Sequence, residues 1–233
     1  MSYLDLERLA AIDAAAFQRR RPYPWVNPAG LLTAEGFAAL QRTLPDLALF
    51  EPVIGKARKY GQQAHDRYTL EWRPGLALPR PWAEFVEEIR GDAYRAFLRR
   101  LLAGAPVALR LHWHYTPTGC SVSPHCDARR KLGSHIFYLN TEADWDPGWG
   151  GETLLLDDGG RLHSDSNPRF EDFDRIETPE CLGNRSLIFQ RQGNSWHGVR
   201  EIRCPPDRLR KVFIVVFERR SLAGRLRQAF GPG

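Results

Sequence analysis

Val107-Ala-Leu-Arg-Leu-His-Trp-His-Tyr115 is the stretch on which the fold turns. Apolar and polar side chains alternate along it, so Leu109, Leu111, Trp113 and Tyr115 share one face of an extended chain, and Arg110, His112 and His114 share the other. That pattern predicts a strand, and the same habit continues downstream. Further strands are expected at residues 134–140, 152–157, 185–190, 195–201 and 210–218, with glycine, proline and aspartate in the gaps. Short strands at regular intervals suggest two packed antiparallel sheets, with a jelly roll, or double-stranded β-helix, as the natural candidate.

Upstream of Val107 the period is helical. Residues 5–17 are alanine-rich and read as one helix. A second helix is expected from Thr33, a good N-cap with Glu35 in the first turn, and Phe37, Leu40 and Leu44 keep its spacing. Pro81 suits the first position of a long helix. Trp82, Phe85, Val86, Ile89, Ala93, Phe97 and Leu101 then form one apolar stripe, read as a face that covers a sheet. The whole is an α+β chain with a mainly β core and supporting N-terminal helices. Its 233 residues suit one domain. Residues 1–105 are the helical support integrated with the core, 106–220 the β core, and 221–233 a basic C-terminal tail.

Bulk composition excludes several classes. The net charge of +5 comes from 33 Lys and Arg against 28 Asp and Glu. It is spread over Arg19-Arg20-Arg21, Arg129-Arg130-Lys131 and residues 219–227, with no nucleic-acid motif around it, so it reads as solvated surface and no nucleic-acid partner is expected. Cys120, Cys126, Cys181 and Cys204 form no CxxC pair, which argues against a structural zinc site. The first residues lack the apolar core of a signal peptide, and no apolar run could cross a bilayer. A soluble, cytoplasmic protein with reduced thiols and no membrane insertion is expected.

Among the seven histidines, His125 stands out for its neighbour Asp127. Two residues apart on an extended chain, imidazole and carboxylate point to one side and can share a metal, while Cys126 points away. His197, on a later strand, can complete the set. Two imidazoles and one carboxylate on one face of an octahedron leave the opposite face open, the arrangement of non-haem iron(II) oxygenases. A bidentate 2-oxo acid in that open face needs a cation for its far carboxylate. Arg210, opening the last expected strand, is the first candidate. Arg208 and Lys211 compete with it, although Lys211 sits on the other strand face.

The stretch from Tyr115 to Asp127, Ile136-Phe-Tyr138-Leu-Asn140, Trp149-Gly150-Gly151-Glu152-Thr153, Gly183-Asn-Arg-Ser-Leu-Ile-Phe189, His197 and Arg210 follow one another in a family's order. From about Val107 to Phe217 the chain resembles the 2-oxoglutarate- and iron(II)-dependent dioxygenases of the prolyl 4-hydroxylase-like branch. Residues 22–26 and 31–45 resemble its N-terminal approach more loosely. The resemblance implies iron(II) on His125, Asp127 and His197, with 2-oxoglutarate as co-substrate, dioxygen as oxidant and ascorbate as a candidate stimulant. It also implies that Tyr115 and Tyr138 hydrogen-bond the two carboxylate ends of 2-oxoglutarate and that Arg210 anchors the far one. Gly150 and Gly151 serve a tight turn in this reading, and Trp196 packs the metal strand. The expected reaction is hydroxylation of an unactivated carbon. Asp127 keeps the iron position that a halide would need, so halogenation is disfavoured.

Two other readings use the same residues. A cupin-type metal protein could be built on His112 and His114, but no glutamate follows at short spacing, and alternation sets both histidines opposite Tyr115, away from the inferred pocket. A non-catalytic oxygenase-like binding domain would be favoured by loss of a ligand or of the arginine anchor, and neither is lost. The substrate is open, as a protein residue such as proline or as a small molecule or sugar. Residues 56–72 and 157–179 are the expected substrate lids. Arg58, Lys59 and Tyr60 in the first form a cationic and aromatic cluster suited to an anionic or planar group. The oligomeric state is not legible.

Overall fold

Helix boundaries in the computed structural model, which describes residues 1–219, follow local capping chemistry. The tail at 221–233 lies outside the described residues. The alanine-rich segment is two short helices, α1 (Leu6–Ala11) and α2 (Ala14–Arg19), where one was expected. Asp13 makes the break. Its carboxylate accepts the backbone N–H groups of Ala15 and Ala16 and starts a new helix, as Asp5 does for α1 through Arg8. In α3 (Ala34–Arg42), Thr33 caps as read, accepting from the Gly36 N–H. The expected long helix is also two, α4 (Arg80–Arg90) and α5 (Asp92–Leu101), separated by extended Gly91. That break rotates the stripe. Tyr94, Phe97, Leu98 and Leu101 are buried, and Ala93 is exposed.

Eleven strands follow the described chain: β1 (Trp25–Val26), β2 (Glu51–Val53), β3 (Arg67–Glu71), β4 (Val107–Thr116), β5 (Val122–His125), β6 (Lys131–Tyr138), β7 (Leu154–Asp157), β8 (Arg175–Glu177), β9 (Ser186–Gln190), β10 (Trp196–Val199) and β11 (Arg210–Arg219). A seven-stranded sheet has the order β1-β9-β6-β11-β4-β3-β2, and a four-stranded sheet the order β5-β10-β7-β8. The pairings are antiparallel. This is the expected jelly roll. β1, β2 and β3 come from the stretch read as mainly helical. β1 and β2 are too short to show a period, and β3 is half-buried rather than cleanly two-faced.

The helices cover the outer face of the large sheet. Trp82, Phe85 and Tyr94 from α4 and α5 pack with Trp113 of β4, Phe137 of β6 and Phe213 of β11 in one buried cluster. A second cluster, holding Trp25, Ile136, Tyr138, Leu155, Leu187, Phe189 and Val212, fills one end of the space between the sheets. The other end is a cleft. No helix among the described residues is long and apolar enough to cross a membrane.

His135 lies on the helix side of β6, fully buried, with Nδ1 2.8 Å from the Tyr94 hydroxyl and its ring stacked on Phe137. Burial holds its pKa well below the usual imidazole value, so the folded protein keeps it neutral. An unfolded histidine takes up a proton near pH 6.5. Below that pH the unfolded chain binds one proton more, and stability falls by up to about 1.4 kcal/mol per pH unit for each such group. The loss continues until the pH reaches the depressed folded value. Urea unfolding of the His135→Gln protein should therefore show a lower stability at pH 7 but a shallower decline between pH 6.5 and 5 than the unsubstituted protein. Parallel declines would mean that His135 titrates freely in the fold.

Candidate metal centre and its cleft

Neighbouring strands β5 and β10 set His197 directly opposite His125, and Asp127 follows just beyond the end of β5. One ligand atom from each of the three lies within 4.8 Å of the others. Both imidazoles are held alike. Nδ1 of His125 is 3.0 Å from the Ser123 carbonyl, and Nδ1 of His197 is 3.0 Å from the Ser195 carbonyl. A carbonyl can only accept, so each Nδ1 carries the proton and each Nε2 keeps a free lone pair.

Protonation also suits a cation. Burial, and after it the neighbouring imidazoles, holds His125 well below its usual pKa, and burial likewise lowers His197. Burial alone would raise the Asp127 carboxyl. The Lys131 ammonium, the first of the opposing influences, outweighs it and keeps the carboxylate ionised. Lys131 donates to Oδ1 of Asp127 at 2.7 Å, while Oδ2 stands 4.0 Å from Nε2 of His197. Two neutral imidazoles and one carboxylate are the donor set that iron(II) takes.

Gly198 lets the two strands meet. A Cβ there would stand 2.7 Å from the Val122 carbonyl oxygen on β5, closer than a backbone atom can allow. The register shifts at that point, between the His197 and Val199 pairs.

The cleft between the sheets has a volume of about 890 Å³ and holds the triad at its wall. Arg210 enters it from the start of β11, buried, and donates through Nε to the Gly151 carbonyl and through Nη2 to the Thr153 hydroxyl at 3.1 Å. It forms no ion pair with a carboxylate among the described residues. Gly151 has φ +107, and a Cβ there would lie 3.1 Å from Cδ of Arg210, so this turn must be bare to receive the guanidinium. Of the competing cations, Lys211 points to Asp144 at 3.1 Å and Arg208 to Asp207 at 3.5 Å. Tyr138 is buried beside Arg210, whose guanidinium lies 5.6 Å from the tyrosine ring, and its hydroxyl neighbours Thr153.

Tyr115 is not brought to the cleft. Its ring stacks on Phe50 at 4.3 Å in the helix-side core, and its hydroxyl donates to the Pro45 carbonyl at 3.3 Å. The expectation that it binds a 2-oxoglutarate carboxylate is therefore corrected. His112 and His114 line the cleft, where the sequence reading had turned them away. The alternation along β4 is as read, but its faces exchange roles. The helices cover the large apolar side chains, and the polar face looks inward. Neither histidine joins the metal-ligand cluster among the described residues. Trp196 packs edge-on against Phe173, within an apolar cluster.

Residues 56–72 border the cleft through Arg58, His65, Arg67, Thr69, Leu70 and Glu71. His65 lies 4.5 Å ring to ring from His125, and its Nε2 is 3.2 Å from the Ser123 hydroxyl. Residues 157–179 do not line the cleft. They brace the first segment, since Asn167 donates to the Gly61 carbonyl at 2.9 Å and Gln62 to the Ser166 carbonyl at 3.0 Å. Sequence reasoning missed His65, Lys131 and Thr153. Only Thr153 had a local signal, its place directly after the Gly-Gly-Glu turn.

Residues 111–219 match the family described as the 2OG-Fe(II) oxygenase superfamily. No curated protein sequence matches the chain. Among solved structures, a Pseudomonas putida prolyl-4-hydroxylase is similar over 89% of this chain and 98% of its own, at 19% identity and a TM-score of 0.60. A Trichoplax adhaerens prolyl hydroxylase, solved with a hypoxia inducible factor oxygen degradation domain peptide, is similar over 98% and 94% at 12% identity and a TM-score of 0.61. SnoK, a non-heme alpha ketoglutarate dependent carbocyclase from nogalamycin biosynthesis, is similar over 97% and 93% at 12% identity and a TM-score of 0.61. At these identities the structural likeness is one of fold.

The contact at Gly198 generates a test. In Gly198→Ala the new methyl must push β5 from β10, at a cost of about 1–3 kcal/mol. Thermal denaturation should show a lower midpoint, and cobalt(II) titration a weaker site, since His197 and His125 sit on the strands that part. Unchanged metal affinity would show that the strands absorb the methyl without moving the ligands.

Proposed function

We propose that this chain, whose residues 111–219 match the 2OG-Fe(II) oxygenase superfamily, is a 2-oxoglutarate-dependent iron dioxygenase, a hydroxylase whose metal rests on His125, Asp127 and His197. The observation that carries the assignment is the convergence of that triad with buried, carboxylate-free Arg210 in one cleft. A buried guanidinium without a counter-charge is costly, and an incoming dicarboxylate would supply one. Arg210 would grip the far carboxylate of 2-oxoglutarate, with the Tyr138 hydroxyl beside it as a second donor.

When bound, iron(II) with 2-oxoglutarate and dioxygen supplies the oxidant, releasing succinate and carbon dioxide. The remaining work belongs to side chains. Ser123 and Ser195 carbonyls fix the imidazole tautomers, Lys131 holds the Asp127 carboxylate ionised, and Arg210 orients the co-substrate. Asp127 leaves no ligand position for a halide, which favours returning oxygen to the substrate. The fold neighbours include prolyl hydroxylases and a carbocyclase, so the fold alone does not select between a peptide and a small molecule. The non-catalytic alternative needs a missing ligand or anchor, and all four groups are present.

Two measurements test this reading. Anaerobic iron(II) binding should be stoichiometric, and it should collapse in His125→Ala and in His197→Ala while circular dichroism reports an intact fold. Stoichiometric iron in both variants would refute the ligand assignment. Titration of 2-oxoglutarate should lose about 2–5 kcal/mol of binding in Arg210→Ala, the scale for leaving one member of a buried charge pair alone. An undiminished affinity there, with the loss appearing in Arg208→Ala, would move the anchor.

A further inference from the structure

The cleft wall carries seven cationic side chains against three carboxylates. Most of these cations are already engaged. Arg110 pairs with Glu71 and Glu218, Arg130 with Glu218, and Lys131 with Asp127. Arg210 is committed to the Gly151 and Thr153 oxygens. Arg73 is exposed at the rim. Arg58 and Arg67 remain. Both are half-buried, neither pairs with a carboxylate among the described residues, and each has a buried Nε with no hydrogen-bond partner. Their protein contacts are slight. Nη2 of Arg58 is 3.5 Å from the Gln62 side chain, and Nη1 of Arg67 donates to the His65 carbonyl at 2.6 Å.

Two unpaired guanidinium groups on one wall are unfavourable unless something arrives between them. Burial is the first influence on both and disfavours their charge; the charge of Arg58 adds to that at Arg67, and Asp127 and Asp66 offset the effect only in part. Their setting is nevertheless built. β3 holds Arg67 in register, with Arg67 paired to Val53 on β2. Gln62, itself buried, is tied to the Ser166 carbonyl and steadies the turn after Arg58. Between the arginines in sequence, His65 packs on His125, which sets the pair beside the triad.

We propose that the substrate carries an oxyanion, a carboxylate or a phosphate, that docks between Arg58 and Arg67 and so presents its reacting carbon to the iron. This rests on the oxygenase reading of the same cleft. It assigns Arg58 and Arg67 to substrate and Arg210 to co-substrate, giving two separate anion seats in the triad's cleft.

The test uses full-length protein loaded anaerobically with iron(II) and saturating 2-oxoglutarate, so that the seat at Arg210 is already filled. Inorganic phosphate and acetate are titrated separately by calorimetry, with acetamide as the uncharged control. One anion or both should bind and acetamide should not, and the stronger anion names the preferred group. The paired substitution Arg58→Gln with Arg67→Gln should weaken that binding by about tenfold or more, the loss expected for charge-assisted hydrogen bonds. Arg73→Gln, the same change of charge at the rim, should alter it little. Equal binding by the paired variant, equal weakening by Arg73→Gln, binding of acetamide, or no anion binding would each overturn the proposal. So would a loss of 2-oxoglutarate affinity in the paired variant comparable to that in Arg210→Ala, which would return these arginines to the co-substrate. Repeating the titration without iron separates the two readings. Anion binding that persists there in Arg210→Ala but is lost in the paired variant stands even if succinate release shows the chain not to be an oxygenase.

Discussion

The pairing of β10 with both β5 and β7 is the constraint on which the cleft depends. On one side it sets His197 across from His125, and on the other it sets His197 opposite Leu155 at the floor of the inter-sheet core. One strand thus ties the candidate metal ligands to the apolar packing that resists their displacement. Backbone carbonyls two residues upstream orient both rings, so the ligand geometry is written into the strands and not left to side-chain choice. Such support from rigid elements is what lets a site stay ready for its ligand.

Electrostatics divide the cleft. Arg210 lies buried against oxygens of the Gly151 and Thr153 turn, where a charged guanidinium is tolerated because those oxygens receive it. In the triad, Lys131 balances Asp127. Half-buried Arg58 and Arg67 pair with no carboxylate among the described residues and contact a side-chain amide and a carbonyl. Positive charge therefore exceeds its counter-charge at two places, and both are places where a ligand would enter or anchor.

Much of this was legible in the sequence because the decisive signals are local. Alternation in residues 107–115 defines a strand, and the His125–Asp127 spacing needs only an extended backbone. Faces were harder to read. Alternation says that Tyr115 and His114 point apart, but which face meets the helices depends on packing by Trp82 and Phe85, far away in sequence. Tyr115 was set on the wrong side for that reason. Helix breaks at Asp13 and Gly91 were passed over because apolar spacing continued through them, although an aspartate and a glycine are the residues that cap and stop helices. The roles of His65 and Lys131 arise from neighbours in space, His125 and, one turn away, Asp127. No period in the chain announces them.

The segment at the cleft mouth is the loop of a hairpin. β2 and β3 are paired from Glu51 to Val53 against Thr69 to Arg67, and β3 is zipped to β4 on its other edge. The two ends of that loop are thus clamped together independently of what lies between them. Closing a longer or shorter loop on a preformed stem changes the chain entropy only slowly with length. Relatives could therefore exchange the whole insert between residues 53 and 67, or lengthen it, while the strands of the candidate metal site keep their register. In such a scaffold recognition can diversify as a cassette, with the oxidising machinery inherited intact.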